Sequence, residues 1–412
     1  MPTRLPLALL ASAALPAAAA AQDAPLQVAM HYTQEQAAPL IACIEAWDGP
    51  GGAEYQQIGY RDYLQTVLTA RLGGQSPDIY NVYSIWAAQM AENDVLAEAP
   101  EDVAQFVRDG YAPGTVDAAT IDGQLLGVPT EVSAYMLVSN MKLLREAGYD
   151  APPAAWDELR EMAEAVTTRN DQGRVETAGF AFAQSSSGAG IVHPFYALLY
   201  SEGGEALYDG GDAAFDGEAA AATVDRMAGL VRDGIADLSV DAYDFPAGGI
   251  AMMIMANWYE SAIREGMGED FAEVAVTPIP TGEDWKTLQY AFFMGVDSGS
   301  ERQDAAWELV RHLNEPRDGG PSCVAEMLDG LGALTASTAD TEALPAPDAF
   351  TQPYVDALAS GRAISQPNVV QASEIEGLMA QAIEGVMAGE READEALAEL
   401  DREVEDILFE FQ

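Results

Sequence analysis

Residues able to do covalent or metal chemistry are scarce in this chain. Its three histidines, His31, His193 and His312, fall into no metal-ligating spacing, and no serine stands in a nucleophile-elbow motif. No catalytic residue, metal or cofactor is therefore expected. Carboxylates abound, with 67 Asp and Glu, but a glycosidase-like acid pair needs two of them about 5 to 9 Å apart in space, which abundance alone does not provide. What the chain does offer is aromatic rings at the ends of apolar runs. Tyr32 follows LQVAM, Tyr83 and Trp86 follow PDIYNV, and Trp258 stands beside Asn257 after AMMIM. Ring faces of this kind cover the C–H surface of a pyranose, and planar polar groups hydrogen-bond its adjacent hydroxyls. In PTEVSAY, Glu131 and Ser133 alternate, so in an extended chain both point to one side while Val132 and Ala134 point to the other. One face there could meet a ligand. A core role for either tryptophan, or a structural hinge role for Glu131, is the competing reading.

Hydrophobic periodicity supplies the elements that would position these groups. Leu26, Val28 and Met30 alternate as a strand, and Leu40, Ile44 and Trp47 mark a helix face with Pro39 in its first turn. Tyr60, Tyr63, Leu64, Val67 and Leu68 predict a second helix stopped by Gly73-Gly74, and 78–82 returns as a strand, giving a βαβ unit. Two short apolar runs, 125–129 closed by proline and 135–138, flank the polar crossing. Trp156, Leu159, Met162, Ala163 and Val166 repeat at helical spacing after Pro152-Pro153. Strands are expected at 179–183 and 250–255, with helices at 193–200 and 219–231, so the second half is α/β as well. Two helices close the chain, the last with Asp394 as its cap, and 335–350 reads as a proline-bearing loop.

Arg4, the apolar stretch Leu5 to Leu15 and the small residues up to Ala21 have the form of a signal peptide cleaved near Ala21. No cysteine near that point offers a lipid anchor, so a soluble periplasmic protein is expected. Cys43 and Cys323, the only cysteines, fit either a disulfide or two buried thiols. With 412 residues and 49% hydrophobic content the chain exceeds one core and favours two lobes. The formal net charge of −48 disfavours nucleic acid as a partner. Because the acidic residues are spread over nearly every helix surface, they read as a solvating surface for a salty habitat. Screening of their repulsion predicts a higher melting temperature in molar salt than in dilute buffer, and an unchanged one overturns that expectation.

The stretch DGQLLGVPTEVSAYMLVSNMKLLREAGYDAPPAAWDEL (Asp122 to Leu159) resembles the inter-lobe crossing of the family 1 extracellular solute-binding proteins, the sugar-capturing subunits of ABC importers. RDYLQTVLTARLGGQSPDIYNVYSIW resembles the first-lobe helix, glycine turn and strand of that family, and GGIAMMIMANWYESAIRE its AMMINGSW strand. AFFMGVDSGSERQDAAWELVRHLNEP is similar to the return crossing, and the C-terminal segment to the closing helices. The resemblance implies a two-lobed periplasmic-binding-protein fold (type II, maltose-binding-protein-like) hinged at 129–133 and 288–292. It implies an N-terminal lobe of 22–129 and 292–345, and a C-terminal lobe of 130–291 and 346–412. A monomer is expected, with a neutral carbohydrate and an inner-membrane ABC permease as partners. Tyr32, Tyr83, Trp86, Glu131, Ser133 and Trp258 match pocket positions. His193 could donate to a hydroxyl or be a satisfied core histidine, and Tyr290 and Phe292 could narrow the pocket. Two departures stand out: GALTAS (Gly332 to Ser337) replaces a frequent lPar loop, and Ala155 replaces a capping threonine. An exported carbohydrate-active enzyme and a sugar sensor for a receptor kinase are the alternative functions.

Overall fold

A computed structural model of the chain describes residues 24–183, 188–209 and 211–410. The expected signal peptide lies outside the described residues. Among the described residues there are thirteen strands. β1 (Leu26–Met30), β2 (Ala53–Gln57) and β3 (Ile79–Tyr83) pair in parallel, with β1 in the centre. The helix Tyr63–Gly73 connects β2 to β3 and ends at Gly74, whose φ of 65° is readily adopted only by glycine. A small hairpin, β4 (Thr120–Ile121) and β5 (Gln124–Leu125), turns at Asp122-Gly123 with both residues at positive φ, the conformation that suits an Asp-Gly hairpin turn.

β6 (Val128–Asn140) is the axis of the molecule. The apolar runs 125–129 and 135–138 are not two strands on either side of a polar crossing: the structure has one continuous, wholly buried strand of 13 residues. Of its polar side chains, Glu131, Ser133, Tyr135 and Asn140 find partners within the fold, whereas the hydroxyls of Thr130 and Ser139 are buried without one among the described residues. β7 (Thr168–Arg169) and β8 (Val175–Thr177) form a peripheral hairpin. The second half of β6 pairs with β9 (Met252–Ala256) and β10 (Val274–Thr277), and its first half with β11 (Thr287–Val296) and β12 (Leu334–Thr335). β11 also reaches β13 (Ala363–Ser365) at one end and β3 at the other. Two long strands, β6 and β11, thus pass side by side from one half of the protein to the other. Where they pass, Thr130 and Glu131 together stand opposite Phe292, a β-bulge that bends β6 and re-aims its side chains.

Helices cover both halves. Ala189–Ser201 is apolar almost all round and buried along its length, packed against Ala372–Met387 and Glu218–Arg232. Cys43 and Cys323 are disulfide-bonded with Cα atoms 6.3 Å apart, tying helix Ala38–Ala46 to helix Cys323–Leu331 across 280 residues of sequence. Three local expectations are corrected. Segment 178–183 makes single bridges, Ala178 to Ile250 and Phe182 to Asp241, in place of a regular strand, and Gly179 lies hard against the carbonyl of Ala163 in the neighbouring helix. The 335–350 stretch contains a helix, Thr338–Ala343, capped by the Ser337 hydroxyl. Asp394 does not precede the last helix, which begins at Ala393, but stands in its first turn, where a negative charge suits the helix dipole. Ala155 indeed leaves helix Trp156–Val166 without a side-chain cap, and Glu158 takes part of that role by accepting from the Ala154 amide at 2.8 Å.

Candidate functional site

The two halves enclose a cavity of about 250 Å³. Its walls come from the carboxyl ends of β1 and β3, from β6 and β11 where they pass, from the buried helix Ala189–Ser201, and from the turns Ala242–Ala247 and Asn257–Tyr259. A cleft beyond the carboxyl ends of parallel strands is where α/β sheets place ligands.

Glu131 forms its floor. Strand alternation puts Glu131, Ser133 and Tyr135 on one face, and the bulge turns the carboxylate toward the gap. Tyr32 donates its hydroxyl to Oε2 at 2.5 Å, and Ser133 and Tyr290 donate to Oε1 at 2.9 and 3.3 Å. Burial raises the pKa of the carboxyl, and these three donors pull it partly back. A carboxylate accepts at about four lone-pair positions, so one acceptor position remains for the cavity.

The second polar centre is His193. Tyr83 OH lies 2.9 Å from its Nε2 and Tyr135 OH 2.8 Å from its Nδ1. Both ring nitrogens are therefore occupied by phenol hydroxyls. Gln366 extends the network by donating to Tyr83 OH and to Glu376 Oε2, both at 3.2 Å. His31 is different. Burial pushes it down to about 3, so it is neutral near pH 7. Its Nδ1 is held 2.7 Å from the Asn81 amide, and its Nε2 has no hydrogen bond to a described residue.

Of the sequence-predicted residues, Tyr32, Tyr83, Glu131, His193, Trp258, Tyr290 and Phe292 line this cavity, and Ser133 and Trp86 do not. Ser133 is fully buried behind Glu131, its short side chain engaged there. Trp86 turns back from the gap to stack on Tyr63 at 5.2 Å, bracing Tyr83 edge-on at 5.4 Å. Tyr83 and His31 in turn stack on Phe292 at 5.1 and 4.7 Å. Trp258, partly exposed, is positioned by its neighbour Asn257, which accepts from the Ala134 amide at 3.0 Å and donates to the Gly332 carbonyl at 3.3 Å. Sequence reasoning missed His31, Gln36, Tyr60, Tyr135 and Tyr243 among the polar and aromatic lining residues, and Ala189, Leu331 and Ala333 among the apolar ones. Tyr135 was within reach, since it continues the alternation of Glu131 and Ser133; Tyr243 lies in a turn whose sequence carries no such signal.

A mixed α/β chain with two halves joined by paired crossing strands and an aromatic-lined gap between them has the two-lobed, maltose-binding-protein-like fold of periplasmic binding proteins. Residues 53–319 match the model of the bacterial extracellular solute-binding proteins, and the chain belongs to that family. The "Probable ABC transporter-binding protein" of Deinococcus radiodurans is 24% identical over 248 residues, 57% of this chain and 58% of that protein, so the likeness spans less than two thirds of the relative. Among solved structures, the GacH receptor of Streptomyces glaucescens, determined unliganded and in complex with acarbose, superimposes with a TM-score of 0.79 at 20% identity, covering 94% of this chain and 98% of that one. An ABC transporter solute-binding protein from Thermotoga lettingae, bound with α-D-tagatose, gives 0.82 at 19% identity, covering 93% and 100%. Likenesses at such identities show the fold. Among the described residues no helix is long and apolar enough to cross a membrane, and no group of three or more His, Cys, Asp or Glu could hold a metal ion.

Proposed function

We propose that this chain is the exported, periplasmic capture subunit of an ABC importer, binding a neutral carbohydrate in the gap between its lobes and delivering it to an inner-membrane permease. The observation that carries this reading is the cavity itself, where ring faces surround one buried carboxylate that keeps an acceptor position free. Aromatic faces suit the C–H surface of a sugar, and Glu131 and His31 suit its hydroxyls. The lobes, 22–129 with 292–345 and 130–291 with 346–412, hinge where β6 and β11 pass. A ligand touching both lobes favours the closed arrangement because it binds that arrangement better. Solved relatives with this fold carry acarbose and tagatose, which supports the ligand class.

The enzyme alternative draws little support. Glu131 is the one Asp or Glu among the described lining residues, so the cavity lacks a second carboxylate to act as partner in glycoside hydrolysis. Calorimetric titration with a panel of neutral sugars in molar salt tests the reading. Saturable binding without new reducing ends is expected; turnover of a bound glycan, or no binding by any sugar, overturns it.

A further inference from the structure

We infer that the cavity is dimensioned for a single sugar ring, and that Tyr243 with Trp258 forms the wall that excludes a second. This rests on the carbohydrate reading above and narrows it to monosaccharides and cyclic polyols.

Size comes first. An apolar cavity of about 150 Å³ accommodates benzene, roughly 25 Å³ per heavy atom, so a hexose with its ~12 heavy atoms needs about 300 Å³ and a disaccharide with ~23 nearly twice that. The cavity volume here is about 250 Å³. One ring fits with small adjustments of the side chains, and two do not.

The distribution of exposure shows where a second ring would have to go. Tyr83, Glu131, Tyr290 and Phe292 are at most 7% exposed and close the inner end. The lining residues with solvent exposure are His31, Gln36, Tyr60, Tyr243, Trp258 and Leu331, which places them toward the mouth. Tyr243 and Trp258 pack ring to ring at 6.2 Å, and Tyr259 anchors the pair by donating its hydroxyl to the Tyr243 carbonyl at 2.5 Å. Trp258 is itself fixed through Asn257 to the loop at Gly332. Tyr243 and Trp258 therefore form a built wall on one side of the mouth, tied to the loop at Gly332, and an oligosaccharide extending past that side would have to displace it. The polar inventory agrees. The open functions include one acceptor position on Glu131, His31 Nε2, the Gln36 side-chain NH2, the Trp258 indole N–H, and the phenol oxygens of Tyr60 and Tyr243, which make no hydrogen bond to described residues. Such a set matches the hydroxyls and ring oxygen of one ring.

The test is calorimetric titration of the full chain with monosaccharides and cyclic polyols (glucose, galactose, tagatose, inositol) and with disaccharides (maltose, trehalose, sucrose), repeated on Tyr243→Ala. At least one single-ring compound is expected to bind at least a hundredfold more tightly than any disaccharide. In Tyr243→Ala the disaccharide-to-monosaccharide affinity ratio should rise at least tenfold. Because the readout is a ratio, a partly unfolded preparation does not move it; if Tyr243→Ala fails to fold, Tyr243→Ser provides the same opening, and the comparison of the two sugar sets stands alone. A disaccharide binding as tightly as its monomer overturns the one-ring limit while leaving the carbohydrate reading intact. An unchanged ratio in the variant removes Tyr243 as the wall. Binding by neither set overturns the carbohydrate reading, and this inference with it.

Discussion

Glu131 and His193 are two polar centres in one cavity, both buried and both contacted by tyrosine hydroxyls, yet they differ in what they leave open. Tyr83 and Tyr135 occupy both nitrogens of His193, and Glu376 Oε2 stands 3.5 Å from its Nε2. Glu131 receives three hydroxyls and can take a fourth. A saturated centre holds the cavity's shape, whereas an unsaturated one can also read a ligand. Burial is therefore a poor guide to function here, and the count of unfilled hydrogen-bond positions is a better one.

That contrast breaks most visibly at Glu131. Glu131→Ala leaves the hydroxyls of Tyr32, Ser133 and Tyr290 without their acceptor, and each buried group left unsatisfied costs about 1–3 kcal/mol. We expect a stability loss of several kcal/mol by urea denaturation and at least a hundredfold loss of sugar affinity. His193→Phe, which keeps the ring volume, should lose about 1–3 kcal/mol of stability through Tyr83 and Tyr135 but less than tenfold in affinity. Equal affinity losses in the two variants would erase the distinction.

Much of this site was legible in the sequence because strand alternation and strand ends carry it. Glu131 follows from parity on β6, Tyr32 and Tyr83 from their places at strand ends, and Tyr290 and Phe292 from the resemblance to the family's return crossing. The bulge opposite Phe292 was not legible, since it depends on register between strands about 160 residues apart. Nor could the Trp86 ring be placed: whether a tryptophan after a strand turns into the gap or back onto Tyr63 is decided by packing.

His31 resembles Glu131 in keeping one position open, and acid tests it. Burial depresses its pKa from 6.5 to about 3, so the folded state takes up its proton later than the unfolded chain. The stability that follows is present above pH 6.5 and lost as pH falls toward about 3. Glu131, raised by burial, acts in the opposite sense: its contribution is present below the pKa of the unfolded chain and lost as pH rises through the folded value. The ring of His31 keeps some solvent contact, which trims the full linkage value to about 2 kcal/mol between pH 7 and 4. His31→Gln should therefore lose about that much less stability than the wild type over this interval in paired denaturation curves. Parallel pH dependences would mean that His31 is not held neutral by the fold.

The smallest effect belongs to a residue that contributes no direct hydrogen bond to either centre. Trp258 offers a ring face at the mouth, and its partial exposure means that truncation removes little from the core. Stacking and the apolar area it covers amount to about 1–2 kcal/mol, so Trp258→Ala should weaken sugar binding roughly tenfold with little change in melting temperature. Trp258→Phe, which keeps a smaller face, should recover part of that loss, whereas restoration of a polar atom by Trp258→Gln should not. If Gln rescued binding as well as Phe, the mouth would be reading hydroxyls, and the division between polar floor and apolar rim would have to be redrawn.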